Sequence, residues 1–241
     1  MQLNMKIVIN PKYKNLEPFV NSIPDTFTSA GETIYKARNE LKTYSIQGME
    51  VVVKSFKIPI VLNRIVYALF RPSKAKRSYE YAFKLLEKGV ATPEPIAYIE
   101  EKRGGLLKRS YYVSVYEKEA EHIRLYMSGE KKDEKFIGEL AKFIAGFHAK
   151  GIFHLDMSPG NILAKPNGDD FEFMLVDINR MNFREHISEK ERYSSFRRLT
   201  DNFEVIKPLA EEYAACANMN REKTVEEIKK ECYKFFGKSL E

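Results

Sequence analysis

Two acids and an amide, set close together in the second half of the chain, carry the chemistry that this sequence offers. The run Phe153-His154-Leu155-Asp156-Met157-Ser158-Pro159-Gly160-Asn161-Ile162-Leu163 places Asp156 and Asn161 five positions apart around a Ser-Pro-Gly turn, with His154 two positions before the acid. The apolar residues on either side fit two short strands joined by a polar turn. Sixteen residues after Asn161 comes Asp177, directly after Phe173-Met174-Leu175-Val176. An acid that follows a buried strand at once is placed as a ligand, and its carboxylate oxygens are the hard donors that Mg²⁺ prefers.

The order His-x-Asp-x-x-x-x-Asn, then an apolar strand ending in Asp, resembles the catalytic loop and metal-binding acid of kinases. That resemblance implies ATP- and Mg²⁺-dependent phosphoryl transfer. Asp156 would accept the proton of the acceptor hydroxyl or orient it, Asn161 and Asp177 would hold the metal on the triphosphate, and His154 would brace the loop. The first half should then supply a strand lysine with a helix glutamate, because phosphates need a fixed cation and a long lysine needs an orienting anion. Lys54, after Val51-Val52-Val53, and Glu80 fit those places, with Lys57 as a neighbouring competitor. Residues 31–48 contain Gly31 and Gly48 but no G-x-G-x-x-G. The turn is Lys36-Ala37-Arg38-Asn39 instead, so Arg38 and Asn39 are the candidate phosphate contacts. Adenine is expected on backbone around Tyr116–Lys118, at Glu117. Asp177 is followed by Ile178-Asn179, not Phe-Gly, which departs from protein kinases.

These residues need elements to hold them. Thr33 to Tyr35, Leu41 to Ser45 and Met49 to Phe56 read as a meander, with turns around residues 36–40 and at Gln47-Gly48. Val61, Ile65, Leu69 and Phe70 have helical spacing, and Pro72 breaks the pattern. A helix from about Ser73 should bury Tyr79, Ala82, Phe83 and Leu86 and stop before Gly89. Pro95–Glu101 and Tyr111–Tyr116 flank Gly104-Gly105 as a hairpin. Past Glu117 the pattern turns helical: Ile137, Leu140, Ala141, Ile144, Ala145 and His148 keep one face over three turns. Near the end, Thr224 and Glu227 have the spacing of a capping box that opens a last helix through Cys232. The expected fold is α+β and two-lobed like a protein kinase: a five-stranded antiparallel sheet plus helix over residues 1–117, then a mainly helical lobe over 118–241. Residues 1–29 give little signal.

With 241 residues and 44% hydrophobic content the chain can build a real core, which excludes a disordered or fibrous protein. Two cysteines, Cys216 and Cys232, form no disulfide framework and fit a reducing, cytoplasmic compartment; Cys232 falls on an apolar helix face as a buried small hydrophobe. No signal-peptide core or membrane-spanning run is present. Charge is uneven, with 19 Lys/Arg against 11 Asp/Glu in residues 1–117 and 21 against 23 in the rest. Residues 58–79 hold Arg64, Arg71, Lys74, Lys76 and Arg77 and no acid, a stretch suited to an anionic surface or substrate. The absence of an aromatic–basic stacking motif and of a zinc pattern argues against nucleic acid.

Over about residues 30–200 the chain is most similar to the lipopolysaccharide kinase family, the small bacterial group acting on Kdo or heptose of the inner core. The supporting text is the Val-Val-Lys strand, Lys88-Gly89-Val90-Ala91-Thr92-Pro93-Glu94-Pro95, the HLDMSPGNIL loop, and Leu175-Val176-Asp177 followed by Arg180. The resemblance implies a sugar hydroxyl on an anionic glycolipid as acceptor, met from the cytoplasmic side of the inner membrane, with peripheral contact to an anionic bilayer. Two other readings remain open on the residues alone: an aminoglycoside- or choline-type phosphotransferase or compact atypical Ser/Thr protein kinase, and a non-catalytic nucleotide-binding pseudokinase. Only 64 residues follow Asp177 and no Ala-Pro-Glu segment closes an activation loop, so a protein-substrate platform is not expected. Tyr193, Arg197, Arg198 and Asn202 fall where the acceptor should come.

Overall fold

The structure is a computed structural model that describes residues 3–56 and 72–239. The apolar and basic stretch Val61–Phe70, with Arg64, Arg71 and Lys57, lies outside the described residues. The chain divides into two compact units: Met1–Glu87 with Thr92–Lys118, and Lys88–Ala91 with Glu119–Glu241.

The first unit is a six-stranded antiparallel sheet: β1 (Leu3–Ile9), β2 (Glu32–Lys36), β3 (Glu40–Ile46), β4 (Met49–Phe56), β5 (Pro95–Arg103) and β6 (Leu106–Val115). Its spatial order is β1-β5-β6-β4-β3-β2. The meander and the Gly104-Gly105 hairpin stand where the sequence indicated, but the sheet has one more strand than expected. β1 runs from Leu3↔Arg103 to Ile9↔Ala97 along β5. Its partner lies nearly a hundred residues away, so no local turn signal marks it.

Alternation along the strands sends side chains to two faces. Val51, Val53, Ala97, Ile99, Tyr111 and Val113 pack with Tyr13, Leu16, Val20, Ile23 and Phe27, which come from a 3-10 turn (Pro11–Leu16), helix α1 (Glu17–Thr26) and the residue after it. Leu16, Val20 and Ile23 are almost wholly buried. At about 1.5–3 kcal/mol per fully buried aliphatic side chain, this packing orders a segment whose local sequence says little. Asn10 helps, accepting from Lys12 N–H at 3.1 Å and donating to the Pro95 carbonyl at 2.8 Å. On the opposite face Phe56, Tyr98 and Tyr112 meet Ala75 and Tyr79 of helix α2 (Lys74–Glu87). That helix buries Leu85 and leaves Leu86 largely exposed, one position round from the expected face.

The second unit is built on helix α4 (Glu134–Ala149), which Asp133 caps by accepting from Phe136 N–H at 2.9 Å. It buries Leu140, Ala141, Ile144, Ala145 and His148, as the periodicity required, together with Phe136 and Phe147. Short strands follow: β7 (Glu121–His122), β9 (Ile162–Asn167) and β10 (Asp170–Leu175) form one sheet, and β8 (Ile152–His154) pairs with β11 (Met181–Phe183). Helix α3 (Arg124–Ser128) comes between β7 and α4, and α5 (Glu189–Ser195), α6 (Phe203–Ala217) and α7 (Arg221–Phe236) complete the unit. Lys88–Ala91 is tied to this unit, since Leu175 N–H donates to the Ala91 carbonyl at 3.0 Å and Lys150 Nζ to the Gly89 carbonyl at 2.9 Å.

Two details differ from the sequence reading. The last helix is capped by Asn220, whose side chain accepts from Lys223 N–H at 2.9 Å; Thr224 is buried inside it, so the Thr224/Glu227 spacing is not its cap. A capping box does exist at α5, where Ser188 and Glu191 satisfy each other's backbone N–H groups. Gly151 sets the corner between α4 and β8: its φ is +72°, and a Cβ there would collide with the Arg184 carbonyl. No described helix is long and apolar enough to cross a membrane.

His148, 1% exposed, bonds through Nδ1 to the Tyr213 hydroxyl at 2.8 Å, while Nε2 has no partner. Burial, reinforced by Arg192, pushes its pKa down to about 3. The unfolded chain titrates this group near 6.5, so between there and about 3 it binds a proton that the folded chain refuses. Stability should therefore fall as pH drops below about 6.5, by up to roughly 1.4 kcal/mol per pH unit from this group. Thermal midpoints of wild type and His148→Gln at pH 7 and pH 5 test this. The acid-induced drop should be smaller in the variant, and equal drops would assign the acid sensitivity elsewhere.

Candidate active site

The second unit brings the predicted catalytic residues together through its backbone. β8 leads into the loop with His154 as its last residue; β9 and β10 form a hairpin in which Ile162 faces Leu175, and the chain returns as β11 to lie beside β8 with Met181 opposite His154. Three hydrogen bonds close this arrangement. Val176 N–H donates to the Asn161 carbonyl at 3.0 Å, Leu155 N–H to the Arg180 carbonyl at 3.0 Å, and Asn161 N–H to the Ser158 carbonyl at 2.8 Å. Asp156, Asn161 and Asp177 thus stand on hydrogen-bonded, neighbouring segments.

His154 links two of these segments directly. It is 1% exposed; Nδ1 accepts from Asp156 N–H at 3.1 Å and Nε2 donates to the Val176 carbonyl at 3.2 Å. Those roles require the neutral tautomer with its proton on Nε2. Asn161 donates its side-chain N–H to the Asp156 carbonyl at 2.7 Å, which holds the amide and keeps Oδ1 as the oxygen for a cation. Asp177 has φ +53°, a left-handed conformation that few non-glycine residues adopt and that Asp tolerates better than most. Its Oδ1 accepts from Asn179 Nδ2 at 2.6 Å, and Asn179 is itself buried. The Ile178-Asn179 that replaces Phe-Gly therefore supplies an orienting donor to the acid.

One carboxylate and one amide oxygen fit Mg²⁺, which takes one or two protein oxygens and completes its shell with phosphate and water. Among the described residues no cluster of three or more His, Cys, Asp or Glu forms a self-sufficient metal cage.

The first unit holds the expected nucleotide residues. Lys54 stands on β4 with the parity of Phe56, on the face that α2 covers, and its Nζ is 5.4 Å from the Phe56 ring centre. Glu80 is on α2, ion-paired one turn back with Lys76 at 3.5 Å. Arg38 and Asn39 occupy the β2–β3 turn, closed by Ala37 N–H to the Asn39 carbonyl at 3.0 Å. After β6, Tyr116 N–H donates to the Glu50 carbonyl and Lys118 N–H to the Tyr116 carbonyl, around Glu117.

Of the four residues expected near the acceptor, Arg198 alone contacts Asp156, donating from Nη1 to Oδ1. Tyr193 is buried and donates to Glu189 at 3.1 Å; Asn202 caps α6 and donates to the Ser128 carbonyl at 3.1 Å; Arg197 is exposed. Sequence reasoning gave no role to Arg180, whose Nη1 is 3.5 Å from Asp156 Oδ2, or to Arg124, whose guanidinium a Cβ at Gly160 would strike. Arg180 was within reach of a sequence argument, since it follows Asp177 by three residues. Arg198 and Arg124 are brought in by tertiary packing and carry no local mark.

The profile of the lipopolysaccharide kinase (Kdo/WaaP) family matches residues 45–229 of the chain. A solved structure, WaaP in complex with acyl carrier protein, shares its fold with a TM-score of 0.65 at 14% identity, over 96% of this chain and 99% of that one. No curated protein sequence matches.

Replacing His154 with Leu removes the acceptor for Asp156 N–H and the donor for Val176 O while keeping the volume apolar. Amide exchange at Asp156 should accelerate at least about tenfold while α4 amides change little, the pattern of local opening. Unchanged exchange at Asp156 would show that the imidazole does not hold the loop.

Proposed function

The chain belongs to the lipopolysaccharide kinase (Kdo/WaaP) family, and on that premise we propose that it transfers the γ-phosphate of ATP, with Mg²⁺, to a sugar hydroxyl of the lipopolysaccharide inner core, Kdo or heptose. The β–γ bridging bond of ATP breaks, a bond forms between phosphorus and the acceptor oxygen, ADP leaves, and the hydroxyl proton passes to the Asp156 carboxylate. The observation that carries the reading is the hydrogen-bonded joining of the Asp156 loop, Asn161 and the Asp177 segment by His154 and the Val176 backbone.

Each residue has a definite task. Asp156 orients the acceptor hydroxyl and takes its proton, and the neutral His154 fixes the loop from below. Asn161 Oδ1 and the Asp177 carboxylate are the oxygens that would hold Mg²⁺, which neutralises charge on the phosphates; Asn179 keeps Asp177 turned for that purpose. Lys54 positions the phosphates, with Glu80 as its candidate orienting anion. The turn at Arg38 and Asn39 covers the phosphates through backbone amides and side chains. Because Tyr116 N–H and Lys118 N–H bond within the protein, adenine recognition falls to the backbone of Glu117. Residues 1–117 serve the nucleotide, residues 118–241 the acceptor. A lipid-linked acceptor puts the reaction at the cytoplasmic face of the inner membrane, with the protein peripheral to it.

Transfer of labelled phosphate from ATP to Kdo- or heptose-bearing lipid tests the reading. Asp156→Asn should lower kcat by about 10²–10⁴-fold, the range for loss of a positioned base. Asp177→Asn should raise the Mg²⁺ concentration needed, and Lys54→Met should lower kcat/KM for ATP. Wild-type transfer by Asp156→Asn would remove the mechanism; transfer only to an aminoglycoside or choline would replace the acceptor.

A further inference from the structure

Asp156 meets a guanidinium at each oxygen. Arg198 donates to Oδ1, and Arg180 is 3.5 Å from Oδ2. The acid side chain is 21% exposed, Arg198 36% and Arg180 47%, so the pairs sit at a surface that a ligand can reach. A third guanidinium, that of Arg124, lies against Gly160 in the same loop. Arg198 is aimed from outside the loop: its guanidinium carbon is 5.0 Å above the ring of Phe235 on α7. Leu155, next to the acid, and Phe235 are both large apolar side chains left substantially exposed.

Two guanidiniums on one carboxylate exceed what that carboxylate can neutralise. A base flanked by two guanidiniums is also a poor acceptor for a hydroxyl proton, because both donors compete for its lone pairs. Ion pairs as exposed as these hold weakly, so an incoming anion can exchange into them. Arg presents a planar fork that matches a carboxylate or phosphate with two parallel bonds, which favours the exchange.

On the reading of the chain as a sugar kinase, we infer that Arg198 and Arg180 form an anion-exchange clamp on Asp156. Without acceptor they hold the carboxylate in place. When a sugar bearing a carboxylate or phosphate binds, Arg198 turns its fork to that anion, one oxygen of Asp156 is released, and it takes the hydroxyl proton during transfer and returns it to solvent. The acceptor's own charge thus switches on the base, which selects anionic over neutral sugars of the same shape. Arg180 stays on Asp156 and keeps it oriented. Phe235 is a positioning residue for Arg198.

The test compares two acceptors, a Kdo glycoside with a free carboxylate and the same glycoside with that carboxyl reduced to an alcohol, at saturating Mg-ATP. Wild type should phosphorylate both and favour the anionic one in kcat/KM. Arg198→Gln should lower kcat/KM for the anionic acceptor by about 10–100-fold, the loss expected for a contact to a charged group, mostly through KM. For the neutral acceptor the loss in kcat/KM should be several-fold smaller, because that sugar offers no anion to Arg198. Arg198→Lys keeps the charge but loses the fork and should fall between. Phe235→Leu should show the same acceptor-selective loss, weaker. Thermal midpoints certify that the variants fold; if Arg198→Gln does not, the Phe235→Leu and Arg198→Lys ratios decide. Equal losses on both acceptors, or no loss on either, would overturn the clamp while leaving the sugar-kinase reading intact. Failure of wild type to phosphorylate either sugar would overturn both.

Discussion

A buried, uncharged imidazole holds this site together. His154 takes a hydrogen bond from the backbone of the acid it precedes by two residues and gives one to the backbone just before Asp177. Each ring nitrogen has a fixed role, so one tautomer is enforced, and adding a proton to Nδ1 would break the bond to Asp156 N–H. The spacing between the Asp156 loop and the backbone just before Asp177 is therefore set by a rigid five-membered ring. The Asn161 amide repeats the device at the far end of the loop, donating to the Asp156 carbonyl.

Around that fixed point the supporting elements have plain tasks. Two antiparallel pairings, β9 with β10 and β8 with β11, return the chain to within a residue or two of where the Asp156 and Asp177 segments begin. Gly151 lets the β8 corner pass close to the Arg184 backbone, a fit that any side chain would prevent. Asp177 sits in a left-handed conformation and is steadied by Asn179, so having Ile-Asn rather than Phe-Gly after Asp177 exchanges a backbone-permissive residue for a side-chain hydrogen bond.

What the sequence made legible was local. Val51-Val52-Val53, the Gly104-Gly105 hairpin, the one-sided apolar face of residues 137–148 and the HLDMSPGNIL text each carry their signal within a dozen residues, and the two-unit antiparallel and helical architecture follows from them. What it hid was long-range. β1 pairs with a strand nearly a hundred residues away, Arg198 reaches Asp156 across 42 residues, and Arg124 covers Gly160 across 36; none of these contacts leaves a periodic or capping mark. The Thr224/Glu227 spacing shows the reverse error: Asn220 had the better-placed side chain for the cap, and Thr224 went to a buried site beneath the helix. Of the basic stretch 58–79, read as a surface for anions, residues 58–71 fall outside the described part of the chain, and Arg77 is buried.

The pairing of β1 with β5 also sets an order of assembly. Leu3 faces Arg103, so once made the outer strand has no partner on the ribosome until the chain has grown on to β5. Residues 32–56 can form their meander early from near neighbours, but that sheet stays open at its β4 edge until synthesis has passed the hairpin and supplied β6. Long loop closures of this kind slow folding and leave apolar strand segments uncovered meanwhile. The apolar Ile7-Val8-Ile9 segment therefore waits for partners that lie at Ala97 to Ile99, and a chaperone has reason to hold it meanwhile.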